Sequence, residues 1–250
     1  MNKTIFTLII LTTTSLYDTG FLDVICSEFE KEFKCKTKII AVGSGMAFKL
    51  GRDGQGDLLF VHEPKGEKEF IRDGYGEYRV TVLKNEFVLC GPKNDKTRIC
   101  LCNNIFEAFK TIYTENLTFI SRDDFSGTDI KEKEIWKKVN FNPEKKKWYI
   151  ETGTGMIESL RIADEKKGYI LSDVSTFLSH KKEFKNLKIL LRDKNNLENY
   201  YSIITVSNKK FPYVNSILSE KFIEFMKSKK VENIIKNFKF EGEKLFELVK

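Results

Sequence analysis

Ile5-Phe6-Thr7-Leu8-Ile9-Ile10-Leu11-Thr12-Thr13-Thr14-Ser15 is the stretch on which the fold turns. The apolar run from Ile5 to Leu11 reads as a strand. Four hydroxyl residues follow, then Asp18-Thr19-Gly20 and an amphipathic helical pattern from Phe21. Hydroxyls between a strand and a helix N-terminus make an anion cup, because first-turn N–H groups have no internal partner and the helix dipole there favours negative charge. The arrangement recurs twice. Val42-Gly43-Ser44-Gly45 separates the strand 38–42 from a short helix. Ser121-Arg122-Asp123-Asp124-Phe125-Ser126-Gly127-Thr128 separates the strand 117–120 from a helix near 130–139. Ser and Thr also cap helices without binding anything. Ser44 between two glycines can equally serve a tight turn, and Arg122 can pair with Asp123 or Asp124. Taken together, three such loops and one arginine suggest a tetrahedral oxyanion held from several sides by neutral donors and one cation, with no carboxylate in the cup to accept a proton.

Outward from this stretch the pattern alternates strand and helix, which implies a mostly parallel α/β sheet. Phe21, Leu22, Ile25, Phe29 and Phe33 mark one helical stripe. Residues 57–61 form a strand closing at His62, residues 67–71 a short helix ending at Asp73-Gly74, and 78–90 a long strand. A second series contains helix faces at Ile105, Phe106, Phe109, Ile112 and Tyr113 and at Ile135, Trp136 and Val139. It continues with a strand at 148–150, a helix with Met156, Leu160 and Ala163, and strands at 169–171 and 188–191. Residues 200–206 form a strand that returns to the first lobe. Two terminal helices carry Ile217, Leu218, Phe222 and Phe225, then Val231, Ile234, Ile235 and Phe238. With no Pro- or Ser-rich linker, the expectation is two α/β lobes, 1–84 plus 203–250 and 85–202. Extended crossovers near 80–88 and 199–206 join them, and the hydroxyl loops face a cleft, because ligands bind outside the strand carboxyl ends of such sheets.

Composition restricts the function classes. At 250 residues, with 41% hydrophobic and 13% aromatic residues including 21 Phe, the chain buries a sizeable core. The net charge of +7 attracts anionic partners, yet the lysines are dispersed and runs such as Lys145-Lys146-Lys147 read as solvated surface. No nucleic-acid motif, P-loop, complete dinucleotide fingerprint or nucleophile elbow occurs. Five cysteines, an odd number, show no zinc spacing. Cys26 reads as a small core residue, and Cys100-Leu101-Cys102 makes no metal site alone. The two histidines give weak catalytic signals: His62 at a strand end suits a hydrogen-bonded structural role, and His180 sits in a Lys-rich loop. Thr152-Gly153-Thr154-Gly155 resembles a cup but also a loop with a helix cap. Met1-Asn2-Lys3 and the run to Leu11 have features of a signal peptide, but no A-x-A-like site follows. The strand reading is preferred, since cleavage near Leu11 removes the strand that presents the threonines.

Thr12-Thr13-Thr14-Ser15 with Asp18-Thr19-Gly20-Phe21-Leu22-Asp23 resembles the start of the tungstate-binding proteins of bacterial ABC importers. Further matching stretches are 40–45, Gly56-Asp57-Leu58-Leu59-Phe60-Val61-His62, Gly74-Tyr75-Gly76 and residues 119–128. The resemblance continues through 151–156, 169–173 and 199–201 into the terminal helices. It implies a two-lobed periplasmic-binding-protein fold with an inter-lobe cleft. It also implies capture of tungstate or molybdate outside the cytoplasmic membrane and delivery to an ABC permease by a monomer that is no enzyme and uses no cofactor. Thr13, Thr14 and Ser15 carry over as ligand residues of one lobe, and Arg122, Ser126, Gly127 and Thr128 of the other. Ser44 is added on physical grounds. Two departures stand out: Asp123-Asp124 replaces a usual Gly-Asp pair after the arginine, and Glu63 follows His62 where a smaller residue is common. The alternative from another class is an intracellular oxyanion sensor that acts on a partner by lobe closure.

Overall fold

A computed structural model describes residues 6–240 and 242–249. Ile5 and the Met1-Asn2-Lys3 segment of the signal-peptide reading lie outside the described residues. The chain divides into two compact units, Met1–Lys84 with Tyr200–Lys250, and Asn85–Asn199. The second division thus falls ahead of the expected 202/203.

In the first unit, β1 (Thr7–Thr13) leads to the single turn α1 (Thr14–Tyr17) and then to α2 (Phe21–Phe33). β2 (Lys36–Val42), α3 (Ser44–Arg52), β3 (Leu58–Val61) and α4 (Pro64–Arg72) follow. The helix expected at 67–71 begins earlier, because Pro64 suits the first helical position and the Glu63 carboxylate accepts a 2.6 Å hydrogen bond from Gly66 N. A β-carbon on Gly66 would lie 2.2 Å from that carboxylate, so only glycine fits under this cap. The seventeen-residue β4 (Gly76–Pro92) carries the chain into the second unit.

There, α5 (Ile105–Thr114), β5 (Phe119–Ser121), α6 (Gly127–Lys138), β6 (Tyr149–Glu151) and α7 (Met156–Lys166) alternate. β7 (Ile170–Asp173), α8 (Val174–His180) and β8 (Leu187–Arg192) complete the unit. Helix α6 starts ahead of the expected 130, since Ser126 caps it. Helix α8 replaces the Lys-rich loop assigned to His180, whose Nδ1 donates to the Thr176 carbonyl at 3.1 Å. β9 (Glu198–Val206) returns the chain to the first unit, which α9 (Ser216–Met226) and α10 (Lys229–Asn237) close. Three two-residue strands follow: β10 (Lys239–Phe240), β11 (Glu243–Lys244) and β12 (Glu247–Leu248).

The sheet order in the first unit is β12-β4-β9-β3-β1-β2. β1 is parallel to both β2 and β3. β9 runs antiparallel to β3, and β12 antiparallel to β4. In the second unit β7 and β8 are both antiparallel to β4, whereas β5 and β6 are parallel. The expectation of a mostly parallel sheet is corrected by the strands that cross between the units, which meet their neighbours head to tail.

Phenylalanine fills both cores. In the first unit Phe29 packs edge-on against Phe222, with ring centroids 5.1 Å apart, and Phe21 against Phe238 at 5.3 Å. Leu11, Phe48, Leu59, Phe70 and Ile204 form a further buried cluster. In the second unit Phe109, Phe119 and Trp136 lie together beneath α5 and α6, with Phe109 and Trp136 centroids 4.4 Å apart. Cys26 is buried, and desolvation pushes its thiol up to about 12, so it behaves as a small apolar residue.

Candidate anion-binding site

Register brings three loops of the first unit to one sheet edge. Thr13 pairs with Val42 at the ends of β1 and β2, and Thr12 with Phe60 near the end of β3. The segments leaving these ends are 14–15, 43–45 and 62. Thr12 is turned away from the edge: its hydroxyl donates to the Phe60 carbonyl at 2.8 Å. Thr13 caps α1, its Oγ1 accepting from Leu16 N at 3.4 Å, so the capping reading holds for this residue whatever else it does. Thr14 is half-buried at the start of α1. Ser15 is 3% exposed, and its Oγ lies 3.3 Å from Thr13 Oγ1 and 3.2 Å from His62 Nε2. Ser44 opens α3 and is 1% exposed, and its Oγ has no hydrogen-bond partner among the described residues. Gly43, which caps that helix, offers no side chain to the first-turn N–H groups. Around both Gly43 and Gly45 a β-carbon would meet nothing within 4 Å, so packing within this chain does not require either glycine. An oxyanion would be taken up here by backbone N–H groups and the Ser44 hydroxyl.

In the second unit the corresponding loop runs between β5 and α6. Arg122 is 3% exposed. One end of its guanidinium is paired with Asp124, while Nε has no partner among the described residues. The other Asp124 oxygen accepts from Ser126 N at 3.1 Å. Ser126 caps α6 by accepting from Asp129 N at 3.3 Å. Gly127 and Thr128 are the first two helical residues. Thr128 is 1% exposed, and its Oγ1 has no partner among the described residues. The cup therefore does contain a carboxylate, contrary to expectation, but both Asp124 oxygens already accept hydrogen bonds from the loop itself. Asp123 is the departure from the usual glycine, and its φ of +45° lies in the left-handed region that glycine occupies most easily; Phe125 follows at +58°. The Asp123 carboxylate is bonded to Lys133 at 2.7 Å, which compensates its charge.

Strand register also explains Thr152-Gly153-Thr154-Gly155. Ser121 pairs with Glu151, so Arg122 and Thr152 leave adjacent strand ends. Gly153 N donates to the Arg122 carbonyl at 2.8 Å, and Thr152 Oγ1 to the Ser121 carbonyl at 3.0 Å. Both threonine hydroxyls also meet Ser159 Oγ. This loop braces the arginine's backbone. Sequence reasoning left Arg122 a choice of two carboxylates and named no partner for His62. The choice of Asp124 is set by two left-handed residues, and that of His62 by strand register, which places it beside Ser15. Among the described residues no group of three or more His, Cys, Asp or Glu side chains could hold a metal ion.

A sequence model of the PBP superfamily domain matches residues 3–230. The tungstate-binding protein TupA of Campylobacter jejuni is 42% identical over 92% of this chain and 86% of its own length. Among solved structures, the tungstate ABC transporter from Geobacter sulfurreducens has a TM-score of 0.86 at 41% identity, covering 92% of this chain and 98% of that one. The tungstate-binding protein TupA from Desulfovibrio alaskensis G20 has the same TM-score of 0.86 at 35% identity, covering 98% and 99%. The chain belongs to the PBP superfamily and, within it, to the family of the TupA proteins.

Proposed function

We propose that this protein binds tungstate, with molybdate as the nearest competitor, and hands it to the membrane permease of an ABC importer, acting as a monomer outside the cytoplasmic membrane. In this reading it is a carrier and not an enzyme. Thr13, Thr14, Ser15 and Ser44 from the first unit and Arg122, Ser126, Gly127 and Thr128 from the second serve one anion. The observation that carries the reading is the trio Ser44 Oγ, Arg122 Nε and Thr128 Oγ1: each is buried, at a strand-to-helix loop and, among the described residues, unpartnered. Buried polar groups are almost always hydrogen-bonded, so three unbonded ones in such loops fit a ligand with several acceptor oxygens. The names of the relatives support delivery through a transporter over intracellular sensing. Tungstate and molybdate are fully deprotonated at neutral pH. Asp124 is already engaged by Arg122 and Ser126, so its oxygens do not stand open to the proton of a hydrogen phosphate. Calorimetric titration with tungstate, molybdate, sulfate and phosphate tests the proposal. One tungstate per chain is the expected result; equal or tighter phosphate binding overturns it.

Ser44→Ala and Thr128→Ala should each weaken tungstate binding by about tenfold to a hundredfold, the equivalent of roughly 1.5–3 kcal/mol for a hydrogen bond to a charged group. Neither should lower the melting temperature of the ligand-free protein, because among the described residues no group bonds either hydroxyl. Ser126→Ala provides the contrast, since losing this helix cap costs about 1 kcal/mol of stability as well. Differential scanning fluorimetry beside calorimetry separates the two patterns. Unchanged affinity in both Ser44→Ala and Thr128→Ala would remove these hydroxyls from the site.

A further inference from the structure

The loop that leads from Arg122 to Thr128 is held in a costly shape. Asp123 at φ +45° and Phe125 at φ +58° both occupy the left-handed region, which residues with a β-carbon enter only under constraint. The constraints converge on one ammonium of α6. Lys133 Nζ donates to Asp123 Oδ1 at 2.7 Å and to Asp129 Oδ2 at 3.2 Å, and it lies 3.1 Å from Asp129 Oδ1. The same Asp129 Oδ2 accepts from Phe125 N at 3.2 Å. The ammonium also stands 5.7 Å from the centroid of the Phe125 ring. Lys133 thus holds both left-handed residues, Asp123 directly and Phe125 through Asp129. Between them Asp124 engages Arg122 and Ser126 N.

Charge points the same way. Asp123, Asp124 and Asp129 set three carboxylates in or beside a loop that offers donors to an anion, against the cations Arg122 and Lys133. Asp129 is 1% exposed, and from the first turn of α6 it competes with a ligand for the positive end of that helix. Without the ammonium, Asp123 and Asp129 lose their countercharge together. We propose that Lys133 is a positioning residue for oxyanion binding, its ammonium joining Asp123 to Asp129 so that the left-handed loop keeps its shape and the carboxylates beside Arg122, Ser126 and Thr128 are neutralised. The inference rests on the oxyanion-binding reading above and adds to it a residue that does not touch the ligand. It also accounts for Asp123 in place of the usual glycine: Lys133 supplies a partner for its charge and a hold on its backbone.

The test pairs calorimetry with amide hydrogen exchange. Lys133→Met keeps the aliphatic stem and removes the ammonium. It should bind tungstate about tenfold more weakly or worse, because two carboxylates then face the anion uncompensated. In the ligand-free variant the amides of Phe125 and Ser126 should exchange faster than in the parent. Lys133→Arg keeps the charge and should bind within about threefold of the parent. Asp123→Gly/Lys133→Met relieves the left-handed backbone and restores the parent's net charge, so it should also recover affinity to within about threefold. A lysine that served only the stability of α6 gives no such recovery. A Lys133→Met variant that binds like the parent, unchanged exchange at Phe125 and Ser126, or a Lys133→Arg or double variant as weak as Lys133→Met overturns the proposal. Should Lys133→Met melt early, Lys133→Arg and the double variant decide. A parent protein that gives no tungstate heat overturns the proposed function and this inference with it, whereas a parent that binds beside an unaffected Lys133→Met overturns the role of Lys133 alone.

Discussion

Arg122→Ala should lower tungstate affinity by more than a hundredfold, the largest loss of any single substitution in the site. Two effects add. The anion loses the buried Arg122 guanidinium, whose Nε is unbonded among the described residues. It also gains an adversary, since Asp124, paired with Arg122 in the native loop, is left as an uncompensated carboxylate beside it. Removing one member of a desolvated charge pair typically costs about 3–5 kcal/mol, mostly through the charge left behind. Arg122→Lys should recover only part of the affinity, because an ammonium cannot engage Asp124 and an oxyanion through one planar fork. The double variant Arg122→Ala/Asp124→Asn should bind more tightly than Arg122→Ala alone, which simple hydrogen-bond loss does not anticipate. Calorimetry on the three variants is decisive: Arg122→Ala binding within threefold of the parent excludes the arginine from the site.

The second large effect concerns stability and pH. Glu132 of α6 is 2% exposed, and one of its oxygens accepts from Tyr149 OH at 2.6 Å and from Trp136 Nε1 at 3.0 Å. Burial pushes its carboxyl up to about 8, more than the bonds from Tyr149 and Trp136 can offset, and it raises the Tyr149 hydroxyl as well. The folded protein therefore keeps a proton that the unfolded chain releases in the ordinary carboxylate range. Between that range and pH 8 the folded state holds more protons than the unfolded one. The stabilisation is complete at low pH and declines as pH rises towards 8, by at most about 1.4 kcal/mol per pH unit for one proton. Glu132→Gln keeps the acceptor oxygen and removes the titration, so the variant should melt progressively higher than the parent as pH is raised from 5 to 8. Other buried acids, Glu63, Glu67 and Asp129, are also pushed up by burial, which makes the difference between parent and variant the quantity to measure. Parallel melting profiles across this range would rule out the buried neutral acid.

Much of this architecture is legible in residue order because the same device is repeated: an apolar strand, a hydroxyl- and glycine-rich turn, then a helix with an apolar stripe. Ser44, Ser126 and Thr128 could be picked out because caps and anion cups use the same residue types at the same place. What stayed hidden depends on neighbours distant in sequence or on backbone conformation. Helix α8 has small polar residues among its seven, Val-Ser-Thr-Phe-Leu-Ser-His, and its start is marked only by the Asp173 cap on Thr176 N. The pairing of Arg122 with Asp124 follows from positive φ angles at Asp123 and Phe125, which side-chain chemistry does not encode. The approach of His62 to Ser15 spans 47 positions and depends on β3 lying next to β1. The two-residue strands near the C-terminus are too short to display any period.

The route of the chain also dictates the order in which the molecule can be made. The second unit is one continuous segment, Asn85–Asn199, whereas the first needs residues from both ends. Until β9 arrives, β3 has no partner along the edge where Leu58 meets Thr205, and Phe29 lacks Phe222 and Phe225. On a ribosome, where synthesis is slow compared with the folding of small domains, the middle of the chain is ready first while an earlier piece waits with apolar side chains uncovered. Pulse-labelled hydrogen exchange during refolding should accordingly find β5 and β7 amides protected before those of β3, and simultaneous protection would show that the two halves assemble as one.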